Sequence, residues 1–198
     1  MMGDTQLNAA EIKIGVVGLG LMGCSITTCL LMAGHPVVAV APVSVDLTFA
    51  LKRITKHLQR SRREKLVTQA PDFYLQHLHI TESYDQLQGC ALVIECTLEN
   101  LDIKKSVYSK IEAVIDKNAL LASNTSAIPI SILQQQTTHP SRFFGLHWAE
   151  PSHTTRFLEV ICGNESDIAK GEYLYELSHL WGKEPTLVRK DIRGFITN

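Results

Sequence analysis

The chain has 198 residues, of which 45% are hydrophobic and 20% are charged, and its formal net charge is −1. This composition indicates a globular protein with a core, and it argues against nucleic-acid binding. No apolar run reaches the ~18 residues of a membrane span, and the polar N-terminus lacks a secretory signal, so we expect a cytoplasmic protein. The five cysteines form no C-x-x-C pair, and the sequence predicts no metal site.

Strand-like and helix-like stretches alternate along the chain, which predicts a parallel sheet with crossover helices. Short apolar stretches predict strands at 12–17, 37–40, 77–80, 91–95, 120–122, 142–147, 157–161 and 185–190. Apolar residues at helical spacing predict helices at 21–33, about 46–65, 101–115 and 167–182. Ser44 is expected to cap the second of these helices, and a short helix is expected to start at Pro129.

Residues 18–23, between the first strand and the first helix, have the sequence GLGLMG, a G-x-G-x-x-G pattern. Gly18 permits a tight turn, Gly20 lets a pyrophosphate approach the backbone, and Gly23 lets the helix and strand pack closely. The N–H groups at the start of the helix, around Leu21 and Met22, favour phosphate. A tight glycine turn without a ligand is the alternative. In this strand–turn–helix context the pattern predicts a Rossmann-type doubly wound, mostly parallel sheet with helices on both faces.

The second strand of such a domain usually ends on an acid that accepts a hydrogen bond from the adenosine ribose. Here that position is Ala41, and the nearest acid, Asp46, would have to reach back from the next helix. The nearest bases, Lys52 and Arg53, also lie on that helix. The sequence therefore predicts a dinucleotide site with weakened discrimination, in which NAD is the expected cofactor and NADP is not excluded.

Two later stretches carry polar residues suited to catalysis. Residues 122–129, ASNTSAIP, follow the fifth strand at the sheet edge where ligands of open α/β folds bind. A turn that caps the following helix is the alternative for this stretch. If the strands at 142–147 and 157–161 form a hairpin centred on His153, His147 and Glu159 face each other. A carboxylate beside an imidazole suits a general base, and a structural pair is the alternative.

Over about residues 12–198 the chain resembles the N-terminal NAD-binding domain of the L-3-hydroxyacyl-CoA dehydrogenases. The resemblance rests on GLGLMG, VIECTLEN, ASNTS, GLHWAEP, FLEV and GFITN, which occur in the family order. It implies that the chain has a polar N-terminal tail (1–11) and a dinucleotide-binding domain (12–198). It also implies an oxidoreductase that transfers a hydride between C3 of a 3-hydroxyacyl-CoA and NAD, in fatty-acid metabolism.

The resemblance also implies roles for individual residues. His147 matches the family's catalytic base and Glu159 its acidic partner. Ser126 matches a serine that contacts substrate and cofactor, and Asn198 matches an asparagine that closes the site. The positions that the resemblance assigns to dinucleotide contacts outside the glycine turn are Glu99, Lys104 and Ser126.

The chain departs from the family pattern at three places. Ala41 replaces the ribose-binding acid, and HWAEP replaces the usual HFFNP, so that Glu150 stands in place of an asparagine. The family continues past Asn198 into a helical domain that completes the acyl site and builds the dimer. Without that domain we expect weak activity of the isolated domain, and a homodimer only where the domain is present.

Two other functions remain open at this stage. One is a related dehydrogenase of a small hydroxy acid, of the gulonate or carnitine type. A basic stripe on the helix at 46–65, formed by Arg53, Lys56, Arg60 and Arg63, favours a CoA ester only weakly, because it suits a solvated surface equally well. The other is a non-catalytic dinucleotide-binding module. Ala41, Glu150 and the lack of the helical domain favour it, and the joint retention of Ser126, His147, Glu159 and Asn198 opposes it.

Overall fold

The computed structural model describes residues 7–191 and contains an eight-stranded sheet. Its strands are β1 (Ile14–Val17), β2 (Val37–Val40), β3 (Leu78–Thr81), β4 (Leu92–Glu95), β5 (Leu120–Ser123), β6 (Phe143–Trp148), β7 (Phe157–Cys162) and β8 (Glu184–Val188). Its α-helices are α1 (Leu21–Met32), α2 (Ser44–Arg63), α3 (Pro71–Leu75), α4 (Leu101–Glu112), α5 (Ile130–Gln134) and α6 (Ile168–His179). Short 3₁₀ turns lie at Ala9–Glu11, Tyr84–Leu87 and Pro140–Arg142.

The strand order is β3-β2-β1-β4-β5-β6-β7-β8. Strands β2 and β3 therefore lie on one side of β1, and strands β4 to β8 lie on its other side. Strands β1 to β6 are parallel, β7 is antiparallel to β6, and β8 is parallel to β7. This topology confirms the predicted doubly wound, mostly parallel sheet. Ligands of such sheets bind beyond the carboxyl ends of the strands where the order reverses, which here is between β1 and β4.

Two apolar clusters cover the two faces of the sheet. One contains side chains of α1, α2 and α6, such as Leu30, Leu58 and Leu174, and the other contains side chains of α4 and α5, such as Ile111 and Leu133. All residues of β1, β2, β4 and β5 are buried, as expected for parallel strands covered by helices on both sides. These clusters fix the strand ends, and the strand ends in turn position the polar residues beyond them.

The prediction that Ser44 caps α2 is wrong. The helix begins at Ser44, and Val43 occupies the N-cap position without a side-chain hydrogen bond. The apolar spacing located the helix to within two residues, but it carries no information about the backbone angles that decide which residue is the cap. Within residues 7–191, none of the helices combines the length and apolar character that crossing a lipid bilayer demands.

Candidate active site

The GLGLMG turn joins the carboxyl end of β1 to α1, and its glycines meet the steric demands of a bound dinucleotide. Gly18 has φ +98°, a conformation that side chains other than glycine rarely adopt, and a Cβ on Gly23 would lie 1.8 Å from the Gly18 oxygen. A Cβ on Gly20 would meet no described atom within 4 Å, so the space beside its backbone is open. Gly20 also offers α1 no side-chain cap, which leaves N–H groups for a pyrophosphate.

A charged pair from α2 lies beside this turn. Ala41, which follows β2, is buried and offers no acceptor. Arg53 reaches back along the helix, and its Nη1 donates to the Leu19 oxygen at 3.2 Å and lies 3.8 Å from Asp46 Oδ1. Sequence reasoning placed Arg53 on this helix, in its basic stripe, and did not predict a contact with the turn. Side chains on a helix tilt toward its N-terminus, and this direction brings the guanidinium back to the glycine turn.

His147 and Glu159 are directly opposite each other in the antiparallel pair β6–β7. His147 Nδ1 lies 2.7 Å from Glu159 Oε2, and both residues are buried. A carboxylate at this distance accepts the Nδ1 proton, which fixes the tautomer of the imidazole. The predicted hairpin geometry is therefore confirmed, and the pair has the arrangement of a general acid–base group.

The loop after β5 is organised by the carboxylate of Glu99. Glu99 Oε1 accepts hydrogen bonds from the N–H groups of Ser126 and Ala127, both at 3.1 Å, and from the Thr125 hydroxyl. Burial by itself would raise the pKa of Glu99, but the Thr125 hydroxyl and the Lys104 charge outweigh it and lower the pKa. Glu99 is therefore held ionised, and it fixes the backbone that carries Ser126.

The same loop is tied to the strand that carries His147. Asn124 Oδ1 accepts a hydrogen bond from the Trp148 N–H at 3.2 Å. Pro129, the N-cap residue of α5, makes no side-chain capping hydrogen bond. The capping alternative for this stretch stays a hypothesis. Asn124 joins the ends of β5 and β6.

A buried ionic group lies beneath Glu99. Lys104 Nζ contacts the two carboxylate oxygens of Glu95 at 2.9 and 3.0 Å, and it lies 3.4 Å from Glu99 Oε2. Glu95 is fully buried and also accepts from Tyr108 at 3.0 Å and Ser123 at 2.7 Å. Buried charges are tolerable only when they are paired and hydrogen-bonded in this way. Lys104 is 1% exposed and supports Glu99, so its direct contact with a dinucleotide stays a prediction.

The loop between β6 and β7 is anchored to the rest of the domain. Lys183 Nζ donates to the Ser152 oxygen and, at 2.5 Å, to the Thr155 oxygen. The Ser152 N–H donates to Ser25 Oγ at 2.8 Å, and Ser25 Oγ also lies 3.0 Å from His153 Nδ1. These contacts connect the loop to α1 and to the residue before β8, and they anchor the connection between the two strands that carry His147 and Glu159.

Glu150 lies in this loop and is exposed. Partial burial of its carboxylate raises its pKa, and the nearby Ser25 hydroxyl and Ser152 N–H oppose the rise. Glu150 is therefore near Ser25 of α1, the helix that follows the glycine turn. Across residues 7–191 the structure contains no group of three or more histidine, cysteine, aspartate or glutamate side chains placed to hold a metal ion.

The predicted site residues follow β1, β4 and β5 or lie near the end of β6. Because these strands are parallel, their carboxyl ends lie at the same edge of the sheet. Leu21, which is 63% exposed, and Met22 are the first residues of α1. Asn198 lies outside the described residues. Sequence reasoning missed the supporting roles of Glu95 and Arg53. An acid that ends a buried apolar strand, as Glu95 does, is the signal that could have revealed the first of them.

Comparison with known proteins identifies the family. Residues 13–192 match the sequence family described as "3-hydroxyacyl-CoA dehydrogenase, NAD binding domain". A probable 3-hydroxybutyryl-CoA dehydrogenase of Deinococcus radiodurans is 30% identical over 94% of this chain and 67% of its own length. A 5-formyl-3-hydroxy-2-methylpyridine 4-carboxylate 5-dehydrogenase of Mesorhizobium japonicum is 32% identical over 94% of this chain and 60% of its own length.

Solved structures agree with this assignment. The (S)-3-hydroxybutyryl-CoA dehydrogenase of Ralstonia eutropha superposes with a TM-score of 0.89 at 30% identity, over 94% of this chain and 66% of that one. The chain thus spans about 60 to 67% of the length of these relatives. The match of the family description to nearly the whole chain, together with the glycine turn and the His147–Glu159 pair, shows that the chain belongs to the 3-hydroxyacyl-CoA dehydrogenase family and carries its NAD-binding domain.

Proposed function

We propose that the protein is an NAD-dependent dehydrogenase that transfers a hydride between C3 of a 3-hydroxyacyl-CoA and the nicotinamide. The observation that carries this proposal is the buried His147–Glu159 pair, with 2.7 Å between Nδ1 and Oε2, in a domain whose glycine turn fits a dinucleotide. The names of the 3-hydroxybutyryl-CoA dehydrogenases among its relatives support the substrate class.

Four residues of the chain have separate roles in this reaction. His147 takes the proton of the 3-hydroxyl group during oxidation and returns a proton to the 3-keto oxygen during reduction. Glu159 stabilises the imidazolium that forms, because a carboxylate beside a buried positive charge offsets its desolvation. Ser126, and Asn198 by resemblance, donate hydrogen bonds to the oxygen at C3. The bound nicotinamide supplies or accepts the hydride.

Glu99 has the task of keeping Ser126 in place. Its carboxylate holds the N–H groups of Ser126 and Ala127, so the loop is ordered before a substrate arrives. Preorganised hydrogen-bond donors require no rearrangement during the reaction, which is the main way in which a protein stabilises developing charge. The Thr125 hydroxyl and the Lys104 ammonium, which Glu95 holds in place, lower the pKa of Glu99 and thereby support this arrangement.

A second candidate is a dehydrogenase of a small substrate that carries no CoA. It is favoured by the 32% identity to the Mesorhizobium enzyme, whose name specifies a pyridine carboxylate substrate. The basic stripe on α2 is also weaker evidence for CoA than the sequence suggested. Arg53 turns to the glycine turn, and Arg60 Nε pairs with Glu64 at 2.6 Å.

A substrate comparison tests the proposal. The protein is incubated with NADH and, in separate reactions, acetoacetyl-CoA, acetoacetate and 3-keto acids of the gulonate and carnitine type, and the absorbance of the reduced nicotinamide is followed. We expect oxidation of NADH with acetoacetyl-CoA at a kcat/KM at least about 100-fold above the free acids. Preference for a free acid would support the second candidate, and bound NADH with no oxidation by any substrate would indicate a non-catalytic module.

The remaining assignments belong to the same proposal. Residues 12–198 form one dinucleotide-binding domain, and the acyl site and a homodimer interface are completed by a helical domain like the one with which the family continues. The proposed location is the cytoplasm, and the proposed ligands are the acyl-CoA substrate and the cofactor.

A further inference from the structure

The adenosine end of the dinucleotide site differs in charge from that of an NAD-selective domain. An acid at the end of β2 normally binds the 2′-hydroxyl of the ribose and repels a 2′-phosphate, whereas a nearby arginine accommodates the phosphate. Here Ala41 removes the acid from the strand end, and Arg53 Nη1 lies 3.2 Å from the oxygen of Leu19 in the glycine turn. The structure thus lacks the carboxylate that would repel a 2′-phosphate and has a guanidinium, that of Arg53, which would attract one.

The contacts of Arg53 leave it able to bind an anion. Its side chain is 42% exposed, and its separation of 3.8 Å from Asp46 Oδ1 exceeds hydrogen-bonding distance. Exposed pairs of this kind are weak, so a doubly charged phosphate competes well with Asp46 for the guanidinium. At the turn Arg53 also lies near Cys24: burial raises the pKa of the Cys24 thiol to about 11, and the Arg53 charge opposes this rise.

We propose that this site binds the 2′-phosphorylated dinucleotides NADP⁺ and NADPH as well as NAD⁺ and NADH, and that Arg53 is the residue that holds the 2′-phosphate. The inference rests on the proposed function only in its use of the dinucleotide site. Asp46 is the rival determinant, because its carboxylate lies in the first turn of α2 and could accept a hydrogen bond from a ribose 2′-hydroxyl in place of the missing acid.

Calorimetric titration tests the proposal without relying on turnover. The protein and three variants, Arg53→Gln, Asp46→Asn and Lys52→Gln, are titrated with NADH and NADPH, and then with 5′-AMP and 2′,5′-ADP, which differ only by the 2′-phosphate. Lys52→Gln is the matched control, since Lys52 is an exposed neighbour on the same helix and loses the same charge. Circular dichroism spectra confirm that each variant is folded.

We expect the substitution of Arg53 to change the affinity for ligands that carry the 2′-phosphate and to leave the affinity for the others nearly unchanged. The unaltered protein binds NADPH within about tenfold of NADH, and Arg53→Gln weakens NADPH and 2′,5′-ADP by about 10- to 100-fold, the loss expected for a charged hydrogen bond. The same variant changes NADH and 5′-AMP by less than about twofold. Asp46→Asn tightens NADPH because it removes the competing carboxylate, and Lys52→Gln has no selective effect.

Three results would overturn the proposal. The first is exclusion of NADPH by the unaltered protein, with an affinity more than about 100-fold below that for NADH. The second is an equal loss of affinity for NADH and NADPH in Arg53→Gln, which would mean that Arg53 only stabilises the glycine turn. The third is that Asp46→Asn weakens only NADH binding while Arg53→Gln leaves NADPH affinity unchanged. This result would mean that Asp46 binds the ribose 2′-hydroxyl and that Arg53 does not bind a 2′-phosphate. Failure to bind either dinucleotide would instead refute the proposed function.

Discussion

Replacement of Glu159 by glutamine should slow the reaction while leaving the shape of the site nearly intact. The amide retains an acceptor oxygen 2.7 Å from His147 Nδ1, but it removes the negative charge that stabilises the imidazolium. A charged hydrogen bond to a buried group contributes about 1.5–3 kcal/mol. Loss of that contribution when His147 is charged corresponds to a decrease in kcat of about 10- to 150-fold. His147→Gln removes the proton carrier itself and should lower kcat by about 10²–10⁴-fold.

A double-mutant cycle shows whether the two residues act as one unit. The rates of acetoacetyl-CoA reduction are measured for both single variants and for the double variant, with NADH affinity measured separately for each. Because Glu159 acts through the imidazole, the double variant should be no slower than His147→Gln, and NADH affinity should change little. Rate losses that multiply in the double variant, or a normal rate for Glu159→Gln, would refute this reasoning and leave the pair a structural one.

Three further predictions concern other parts of the site. Ala41→Asp should tighten NADH and weaken NADPH, each by about tenfold, in calorimetric titrations, because it restores the ribose acceptor and repels the 2′-phosphate. Glu95→Gln should lower the free energy of unfolding in urea by up to about 3–5 kcal/mol, because it removes the fully buried partner of the Lys104 ammonium and leaves only the more distant Glu99, and adding Lys104→Met should recover part of this loss. Burial, followed by the charges of His57 and Arg60, lowers the pKa of His153 from 6.5 to about 4. Only the unfolded chain is therefore largely protonated at His153 as the pH falls from 6.5 toward 4. The unaltered protein should lose about 2–3 kcal/mol more stability over this range than His153→Asn, in which His35 and His57 still titrate.

The fold could be predicted because its strands and helices carry strong local signals. Fully apolar strands such as β2 (Val37–Val40), alternating with helical stretches, require a sheet covered on both faces, and the glycine turn locates the point where the sheet reverses its order. Helix boundaries were less predictable. The start of α2 at Ser44, instead of after it, and the short helix α3 depend on backbone conformations that composition does not determine.

The site could be predicted where its geometry follows from strand pairing. The spacing of His147 and Glu159 about the hairpin sets their register, so their contact followed from counting residues. The directions of long side chains and the partners of buried charges do not follow from such counting. Arg53 returns to the glycine turn, and Lys104 turns inward to Glu95, and only the packed structure determines either arrangement.

Transfer of an isotope label tests whether the protein moves a hydride between NADH and C3 of an acyl-CoA with His147 as the proton donor. The protein is supplied with acetoacetyl-CoA and NADH that carries deuterium at the transferable position, and the product is analysed by mass spectrometry. We predict that the unaltered protein forms 3-hydroxybutyryl-CoA with one deuterium at C3, and that His147→Gln, which still binds NADH, forms it at least about 100-fold more slowly. Labelled product formed equally fast by His147→Gln, or no labelled product from a protein saturated with both substrates, would contradict it.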